Sequence, residues 1–447
     1  MRCRSDLHKY QNKAIDFVKS KKKCALFLDM GLGKTVSTLT AISDMLDEFE
    51  ITRVLVLAPL VVANSVWKQE TEKWEHLKHL RVEICTGTRT QREVQIQKHC
   101  DIHVINFENL IWLIENFEWK WDMLVVDEST SFKNHASKRF KKLKKVLKKL
   151  DSVVLLTGTP SPNGFTDLWG QMYILDSGER LGKTITQFRQ MFCKAIRIGS
   201  LNFKWEVYSW AESQIKERIK DLCISMQASD YLTLPSKIVL YQYVNLPEKI
   251  MKLYELKRNE FILNINENKQ IDSKSAGTKI NKLLQVCNGS VYDEDGSEIL
   301  IHDLKIQRLK EILNDNPDEN FLVAYSFKSD LNRLKLAFPF AKVLNSNPKL
   351  VDDWNNKKIK MLLAYPRSSG KGLNIQFGGS VIIWFGLSWD LDSYQQFNAR
   401  LYRQGQKKPI RIIHILAKDC TDDILVKAAL SKKNLKQKSV IDYLKTD

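Results

Sequence analysis

Short apolar runs recur between Cys24 and Pro160 and are separated by polar stretches of helix length. They are CALFL, VLVLAP, IHVINF, MLVVDE and VVLLTGTP. Strands that are buried on both faces and alternate with helices are typical of a parallel sheet in a doubly wound α/β domain. The same rhythm returns late in the chain, in FLVAYS, KMLLAYP, SVIIWFG and IRIIHIL. The pattern therefore predicts an α/β fold with two doubly wound, parallel-sheet lobes.

The boundaries between these parts follow from where the alternation of apolar runs and polar stretches stops and resumes. The first lobe is predicted over residues 1–175, and a helical connection over residues 176–235, where aromatic residues occur without a buried-strand signature. KIVLYQYVNLP, Lys237 to Pro247, is predicted to open the second lobe, which spans residues 236–447. A helical protrusion is predicted over about residues 248–290, and VYDEDGSEI after it predicts a surface hairpin with an Asp-Gly turn.

The charge of the chain indicates a polyanionic partner. Lys and Arg number 70 against 52 Asp and Glu, which gives a net charge of +18 at pH 7. Nucleic acid is the favoured partner. A membrane surface is disfavoured because no run of about 18 apolar residues occurs. A charge that serves solubility alone stays open as an alternative.

The cysteines suggest neither a metal site nor a disulfide framework. All 8 are scattered, with no Cys-x-x-Cys pair and no Cys/His spacing of a zinc site. A reducing compartment fits this pattern, so we expect a cytoplasmic protein, in a bacterium or a phage-infected host.

The stretch DMGLGKT between an apolar run and a helical pattern predicts a phosphate-binding loop. Glycines at Gly31 and Gly33 allow backbone N–H groups to converge on phosphate oxygens. Lys34 is expected to reach the β and γ phosphates, and Thr35 to ligate Mg²⁺. A plain turn is the alternative for this motif taken alone.

Two further strand ends carry candidate chemistry. In MLVVDES, Asp127 and Glu128 follow an apolar strand, where an α/β sheet presents its ligand site. Asp127 is expected to hold Mg²⁺ and Glu128 to activate the attacking water. In LLTGTPSPNG, the hydroxyls of Thr157 and Thr159 flank Gly158 and could bridge the nucleotide site to the far lobe or to nucleic acid. A helix cap and a simple turn are the respective alternatives.

Two arginines of the second lobe are candidates for stabilising the negative charge that develops during hydrolysis. Arg400 and Arg403 in YQQFNARLYRQGQ are spaced i, i+3, which predicts that they share one face of a helix. An arginine delivered from another domain stabilises the γ-phosphoryl oxygens in many nucleotide hydrolases. A solvated helix face is the alternative.

Together these segments resemble the superfamily 2 helicases of the Swi/Snf type, and most closely their small phage-encoded members. The ordered motifs that carry the resemblance are LHKYQ, DMGLGKT, APLVVANSVWKQE, VVDESTSFKN, LTGTPSPN, SSGKGLNI, FGLSWD and QQFNARLYRQGQ. The resemblance implies two RecA-like lobes with a nucleotide cleft between them, and hydrolysis of ATP with Mg²⁺.

The resemblance also implies roles for individual residues. Gln11 would read adenine, Arg400 and Arg403 would be arginine fingers, and Gly372 would contribute to ATP binding. Residues expected to couple the nucleotide to nucleic acid are Thr157, Gly158, Thr159, Gly370, Leu373, Asn374, Trp389 and Asp390. Many members carry Asp-Glu-Ala-His where this chain has Asp-Glu-Ser-Thr, so Thr130 replaces a histidine. This departure bears on how strongly hydrolysis depends on bound nucleic acid.

Two surface segments are further candidates for contact with nucleic acid. KRFKKLKKVLKKL, Lys138 to Leu150, predicts an amphipathic helix with a solvated basic face, DNA contact being the alternative. FKWEVYSW, Phe203 to Trp210, predicts a packed insertion rather than a platform on which bases stack.

The function expected from these residues and the resemblance is an ATP-dependent translocase that moves along or remodels duplex or branched DNA in replication, recombination or repair. A strand-separating helicase acting on DNA or RNA is one alternative. A catalytically idle scaffold that recruits a nuclease or replication protein is another. Retention of Lys34, Asp127, Glu128, Arg400 and Arg403 argues against an idle site.

Overall fold

The computed structural model describes residues 1–198, 202–266, 273–293, 295–345, 347–369, 374–387, 390–423 and 430–431. These residues form two compact units. The first unit comprises Met1–Lys194 and Trp205–Leu232. The second comprises Ala195–Lys204 and the described residues from Thr233 onward.

Strands and helices alternate along the chain as far as Leu232. The strands are β1 (Lys23–Leu28), β2 (Val54–Ala58), β3 (Val82–Ile84), β4 (Ile102–Asn106), β5 (Met123–Asp127), β6 (Ser152–Thr157), β7 (Cys193–Ile198), β8 (Asn202–Val207) and β9 (Cys223–Met226). The helices are α1 (Lys9–Lys21), α2 (Lys34–Asp47), α3 (Leu60–Lys73), α4 (Arg89–Gln97), α5 (Leu110–Asn116), α6 (Lys138–Leu143), α7 (Leu168–Asp176), α8 (Ile185–Phe192), α9 (Ser209–Ile219) and α10 (Ala228–Tyr231).

The first unit is built on a seven-stranded parallel sheet with the order β3-β4-β2-β5-β6-β1-β9. The central strands β2, β4, β5 and β6 are buried along their whole length. Burial on both faces explains why these strands are continuous apolar runs rather than alternating patterns. The apolar runs between Cys24 and Pro160 are the strands that the sequence predicted.

The segment predicted as a helical connection also contains strands. Cys223–Met226 forms β9, which pairs in parallel with β1 and extends the first sheet, while β7 and β8 form a separate two-stranded sheet. The sequence of β9, CISM, is too short and too poor in β-branched residues to stand out as a buried strand. Its position depends on pairing with a strand near the beginning of the chain.

The second unit has a similar plan. Its strands are β10 (Lys237–Val244), β11 (Ser290–Tyr292), β12 (Glu298–Leu300), β13 (Phe321–Ala324), β14 (Lys342–Val343), β15 (Met361–Ala364), β16 (Val381–Trp384) and β17 (Ile410–Ala417). Its helices are α11 (Glu248–Asn266), α12 (Ser273–Asn288), α13 (Leu304–Asn314), α14 (Lys328–Ala337), α15 (Pro348–Asn355), α16 (Pro366–Ser369) and α17 (Leu391–Asn398).

A six-stranded parallel sheet with the order β10-β17-β16-β13-β15-β14 forms the centre of this unit. The predicted α/β fold with two parallel sheets is therefore confirmed. The predicted hairpin is also present, as the antiparallel pair β11 and β12.

The basic stretch from Lys138 is not one continuous helix. The helix α6 ends at Leu143, and a short 3-10 turn follows at Leu147–Lys149. The apolar side chains of the predicted stripe are nevertheless buried, at Phe140, Leu143, Leu147 and Leu150. The apolar spacing thus predicted the buried face correctly, although the helix is interrupted between its two halves.

A buried ion pair lies in the core of the second unit. Lys305 is fully buried on α13, and its Nζ donates to Asp422 Oδ2 at 2.6 Å, Asn288 Oδ1 at 2.9 Å and the carbonyl oxygen of Phe385 at 3.2 Å. The ion pair thus joins α12, α13, the end of β16 and the segment after β17. Because a charge removed from water is costly unless it is paired, loss of one partner is more harmful than loss of both.

We predict that Lys305→Met destabilises the second unit by about 3–5 kcal/mol, because the substitution preserves bulk but leaves the Asp422 carboxylate buried without its cation. The measurement is amide hydrogen exchange, which should accelerate roughly a hundredfold or more in β16 and β17. Amides of β5 in the first unit serve as the internal reference.

The matched control is Lys252→Ala, which removes an ion pair with Glu248 whose side chains are 70% and 82% exposed. Exposed pairs contribute about 0–1 kcal/mol, so exchange in β16 and β17 should stay close to that of the unsubstituted protein. Equal effects of the two substitutions would contradict a special role for the buried pair.

Candidate nucleotide site

The predicted phosphate loop connects β1 to α2. Gly31 and Gly33 have φ angles of 91° and 77°, a region that glycine adopts without strain. The helix α2 begins at Lys34, immediately after Gly33. The first N–H groups of a helix have no partner within it and carry partial positive charge, so this loop presents donors suited to phosphate oxygens.

Lys34 lies over the loop that precedes it. Its Nζ donates to the carbonyl oxygen of Leu28 at 2.7 Å and lies 3.4 Å from that of Asp29. Asp29 is itself anchored, because its Oδ2 accepts a hydrogen bond from the backbone N–H of Ala228 at 3.0 Å. The ammonium group is therefore held at the carboxyl end of β1, beside the predicted phosphate loop.

Gln11 packs against the same loop. Its Oε1 accepts from the backbone N–H of His8 at 2.9 Å, and its Nε2 donates to the carbonyl oxygen of Leu32 at 3.3 Å. A Cβ atom added to Gly33 would lie 2.2 Å from Gln11 Nε2. The carboxamide thus supports the conformation of the loop, a contact that the sequence did not predict.

The carboxylates lie on an adjacent pair of strands. Asp127 is the last residue of β5 and pairs in register with Leu156 of β6. The residue after Leu156 on the same strand, Thr157, pairs with Phe27 of β1. The carboxyl ends of β5, β6 and β1 therefore meet at one edge of the sheet, where α/β proteins bind ligands. The structure brings the predicted carboxylates and phosphate loop to the same edge.

Asp127 is held by a tryptophan that the sequence analysis did not single out. Trp67 on α3 is fully buried, and its Nε1 donates to Asp127 Oδ2 at 3.1 Å. Asp127 itself is 7% exposed. Trp67 lies within APLVVANSVWKQE, far from the carboxylate along the chain. A contact between residues so distant in sequence has no local signature.

The backbone turns sharply at Glu128. Its φ and ψ are both 60°, a left-handed conformation that is uncommon for residues other than glycine. A 3-10 turn, Ser129–Phe132, follows directly. Such conformations cluster at active sites because surrounding contacts must hold them. Thr130 is buried in this turn.

Thr157, Gly158 and Thr159 form a turn beside the phosphate loop. The backbone N–H of Thr159 donates to Thr157 Oγ1 at 3.0 Å. A Cβ atom on Gly158 would lie 3.3 Å from the carbonyl oxygen of Leu28 and 3.7 Å from Lys34 Nζ. The absence of a side chain at Gly158 thus lets the two segments approach closely.

The groups present at this edge fit a magnesium nucleotide. Thr35 and Asp127 carry oxygen atoms, the ligand type that Mg²⁺ prefers, and Mg²⁺ usually takes only one or two carboxylates together with substrate phosphates. Among the described residues, no group of three or more His, Cys, Asp or Glu side chains is arranged to hold a metal ion.

The two arginines of the second unit do not lie on a helix face, which corrects the sequence prediction. The helix α17 ends at Asn398, whose Oδ1 accepts from Trp384 Nε1 at 3.0 Å. Arg400 and Arg403 follow in a series of turns that extends to Gly405, where φ is 94°. The i, i+3 spacing was compatible with a helix, but the contact that anchors its last residue is not visible in the sequence.

The turns that carry the arginines are anchored at their far end. Gln406 Nε2 donates to the carbonyl oxygens of Gln376 at 2.7 Å and Gly379 at 3.0 Å. Arg400 is 9% exposed and Arg403 is partly buried. The segment that carries the two arginines is therefore held in place at Gln406.

Two of the remaining predicted coupling residues, Asn374 and Asp390, are among the described residues and lie in the second unit. Asp390 precedes α17, and its Oδ2 accepts from Ser393 Oγ at 2.8 Å. Asn374 is exposed, and its carbonyl oxygen accepts from Asn355 Nδ2 at 2.8 Å. Gly370, Gly372, Leu373 and Trp389 lie outside the described residues.

The sequence of the chain matches a known protein family. The model of the SNF2-related domain matches residues 9–291. The chain belongs to the SNF2-related family. As a member of this family it is an ATPase of the superfamily 2 type, and the phosphate loop, the carboxylates and the Thr-Gly-Thr turn are its candidate site.

Individual relatives extend the match over nearly the whole chain. Protein p41 of Acyrthosiphon pisum secondary endosymbiont phage 1 is 37% identical over 440 residues, covering 95% of each chain. The uncharacterized ATP-dependent helicase MG018 of Mycoplasma genitalium is 26% identical over 98% of this chain, which spans 42% of that protein's length. The dsDNA-bound SWI2/SNF2 ATPase core of Sulfolobus solfataricus is 22% identical, with a TM-score of 0.46 and coverage of 98% and 97%.

None of the helices described is both long enough and apolar enough to cross a membrane.

We predict that Trp67→Phe lowers kcat for ATP hydrolysis about tenfold, because the phenyl ring keeps most of the packing but no longer donates to Asp127. The KM for ATP should change little, since Trp67 acts through the carboxylate. Steady-state ATPase kinetics at saturating Mg²⁺ provide the measurement.

Trp74→Phe is the matched control. Trp74 is also buried, and its Nε1 donates to a carboxylate, Glu70 Oε1, at 3.1 Å, but Glu70 belongs to neither the phosphate loop nor the carboxylate turn. The kcat of Trp74→Phe should stay within about twofold of the kcat of the unsubstituted protein. A comparable loss in both variants would show that indole packing, not the bond to Asp127, is responsible.

Proposed function

We propose that this SNF2-related ATPase hydrolyses ATP at the edge of its first sheet and uses the energy to move along DNA. The observation that carries the proposal is that three segments with candidate chemistry lie together at this edge of the sheet. The phosphate loop, Asp127 with Glu128, and the turn at Gly158 come together at the carboxyl ends of β1, β5 and β6.

In this proposal each group has a distinct chemical task. Lys34 and the N–H groups at the start of α2 bind the phosphates, and Glu128 orients and activates the attacking water. Thr35 and Asp127 would hold a magnesium ion, whose charge neutralises the phosphates. Gln11, fixed against the loop, contacts the adenine. These are the tasks that in-line phosphoryl transfer requires, and little covalent chemistry is left to the protein.

The arginines complete the site in this proposal. Arg403, together with Arg400, stabilises the negative charge that develops on the γ-phosphoryl oxygens. Both belong to the second unit. Gly372 would contribute to ATP binding, and Asn374 and Asp390, with Gly370, Leu373 and Trp389, would transmit the state of the nucleotide to the bound nucleic acid.

DNA is the proposed track. The net charge of +18 favours a polyanion, and contacts to phosphates provide affinity without reading sequence. The name of the mycoplasma relative, an ATP-dependent helicase, supports a nucleic-acid substrate for a chain of this family. The Swi/Snf-type motifs favour translocation on duplex DNA over separation of its strands.

The finer part of the proposal concerns the biological process. We propose that the motor acts on duplex or branched DNA in replication, recombination or repair. A separately encoded nuclease or replication protein would direct it to its target. The support for this setting is that one relative, matched over 95% of each chain, is a phage protein.

The experiment that tests the proposal measures ATP hydrolysis without nucleic acid and with single-stranded DNA, linear duplex, forked duplex and RNA. We predict that duplex or forked DNA stimulates most and that stimulation falls steeply with added salt, because phosphate contacts release counterions. Lys34→Ala should abolish turnover, whereas Lys78→Ala, at an exposed lysine outside the motifs, should not.

The other outcomes separate the alternatives. Stronger stimulation by RNA, or unwinding of a tailed duplex, would favour the strand-separating helicase. Turnover that persists in Lys34→Ala would remove the phosphate loop from the site. Hydrolysis that none of the nucleic acids stimulates would contradict the motor.

We predict that Arg403→Ala retains ATP binding but loses turnover by about a thousandfold, because a finger acts on the transition state rather than on the ground state. Binding of a fluorescent ATP analogue and steady-state hydrolysis, measured on the same preparation, separate the two effects. Arg89→Ala, at a residue whose side chain is 68% exposed, is the control. Equal loss of binding and turnover would show that Arg403 is not a finger.

A further inference from the structure

A buried glutamine lies between two of the segments that form the candidate site. Gln171 is on α7 and is fully buried. Its Oε1 accepts from Ser129 Oγ at 2.7 Å, and its Nε2 donates to the carbonyl oxygens of Pro160 at 2.7 Å and Asp167 at 3.1 Å. One carboxamide thus joins the turn after Glu128 to the turn after Thr159.

The orientation of this carboxamide follows from its partners. Carbonyl oxygens can only accept hydrogen bonds, so the amino group must be the end that faces Pro160 and Asp167. The carbonyl end is then the one that faces the Ser129 hydroxyl, which can donate. Both amide hydrogens and one acceptor site are used, so the group is satisfied in a place that water does not reach.

The helix that carries Gln171 is pressed against the segment that contains Ser129. A Cβ atom on the preceding residue, Gly170, would lie 2.5 Å from the carbonyl oxygen of Phe132 and 3.4 Å from that of Lys133. Real side chains do not tolerate the shorter of these separations from a backbone oxygen. Gly170 and Gln171, which are consecutive on α7, therefore both pack closely against the turn that follows Asp127 and Glu128.

The partners of Gln171 are immediate neighbours of residues with proposed chemical tasks. Ser129 follows Glu128 directly, and Pro160 follows Thr159 directly. A shift of the turn at Thr159 therefore acts on the carboxylate turn through a side chain fixed at both ends. Gln171 therefore does not contact Glu128 or Thr159 through these bonds but contacts the residue that follows each of them.

We propose that Gln171 is a positioning residue that holds the Asp127–Glu128 turn and the Thr157–Thr159 turn in one fixed relation for ATP hydrolysis. The inference rests on the proposed function of these two turns. Because Gln171 touches neither the phosphate loop nor Lys34 through these bonds, it affects the rate of the chemical step rather than the binding of ATP.

The test compares Gln171→Leu, Ser129→Ala and the double variant. Gln171→Leu keeps approximate size and removes all three bonds, so kcat should fall about tenfold with KM for ATP within about twofold. Ser129→Ala removes only the bond to Oε1 and should lower kcat by a smaller factor, about threefold. The double variant should match Gln171→Leu, because both changes break the same connection.

Tyr173→Phe is the matched control on the same helix. It keeps the ring that packs against Trp169 and removes one hydroxyl, so kcat and KM should both be unchanged. Thermal unfolding of every variant, recorded beside the kinetics, identifies loss of fold. Should Gln171→Leu fail to fold, Ser129→Ala decides the question, since it removes a single oxygen atom.

A kcat for Gln171→Leu equal to that of the unsubstituted protein would overturn the inference, as would a rise in KM with kcat unchanged. Additive losses in the double variant would show that the two residues act separately. These outcomes are read from basal hydrolysis as well as from DNA-stimulated hydrolysis. An unsubstituted protein that DNA does not stimulate would contradict the proposed function while the basal kcat still decides the role of Gln171.

Discussion

The parallel pairing of β1, β6 and β5 is the constraint on which the candidate site depends. Pairing in register sets Phe27 beside Thr157 and Asp127 beside Leu156. Segments that are far apart in sequence therefore end at one edge of the sheet. Parallel strands require helical crossovers between them, and these helices bury both faces of the sheet. The same arrangement that forms the core thus collects the phosphate loop and the carboxylates.

Much of this arrangement could be predicted from the sequence because its causes are local. Apolar runs mark strands that are buried on both faces, and Gly31 and Gly33 mark backbone conformations that other residues rarely adopt. Asp127 and Glu128 follow a strand directly, so their position at the sheet edge follows from the strand itself. The roles assigned to these residues stay predictions, whereas their placement is a property of the fold.

The features that could not be predicted depend on distant partners. The strand β9 is identified by its pairing with β1, not by the composition of Cys223–Met226. The helix α17 ends where Asn398 meets Trp384, so the prediction of a helix through Arg400 and Arg403 was wrong. The bond from Trp67 to Asp127 likewise joins side chains that are distant in sequence. In each case the local pattern permits the observed structure but does not select it.

Buried polar groups connect separate segments of the chain in both units. Lys305 with Asp422 joins helices and strand ends in the second unit, while Trp67 and Gln171 hold the ends of strands in the first. A buried polar group that lacks its partner costs more than an apolar group in the same place, so each network favours one arrangement over its alternatives. In the first unit, the arrangement that these bonds favour is that of the turn at Asp127 and Glu128. The task proposed for Glu128, the orientation of one water molecule, requires a fixed backbone, and Glu128 has a left-handed conformation that is uncommon for residues other than glycine. The buried bonds to Asp127 and Ser129 therefore fix the turn on which the proposed catalytic role of Glu128 depends.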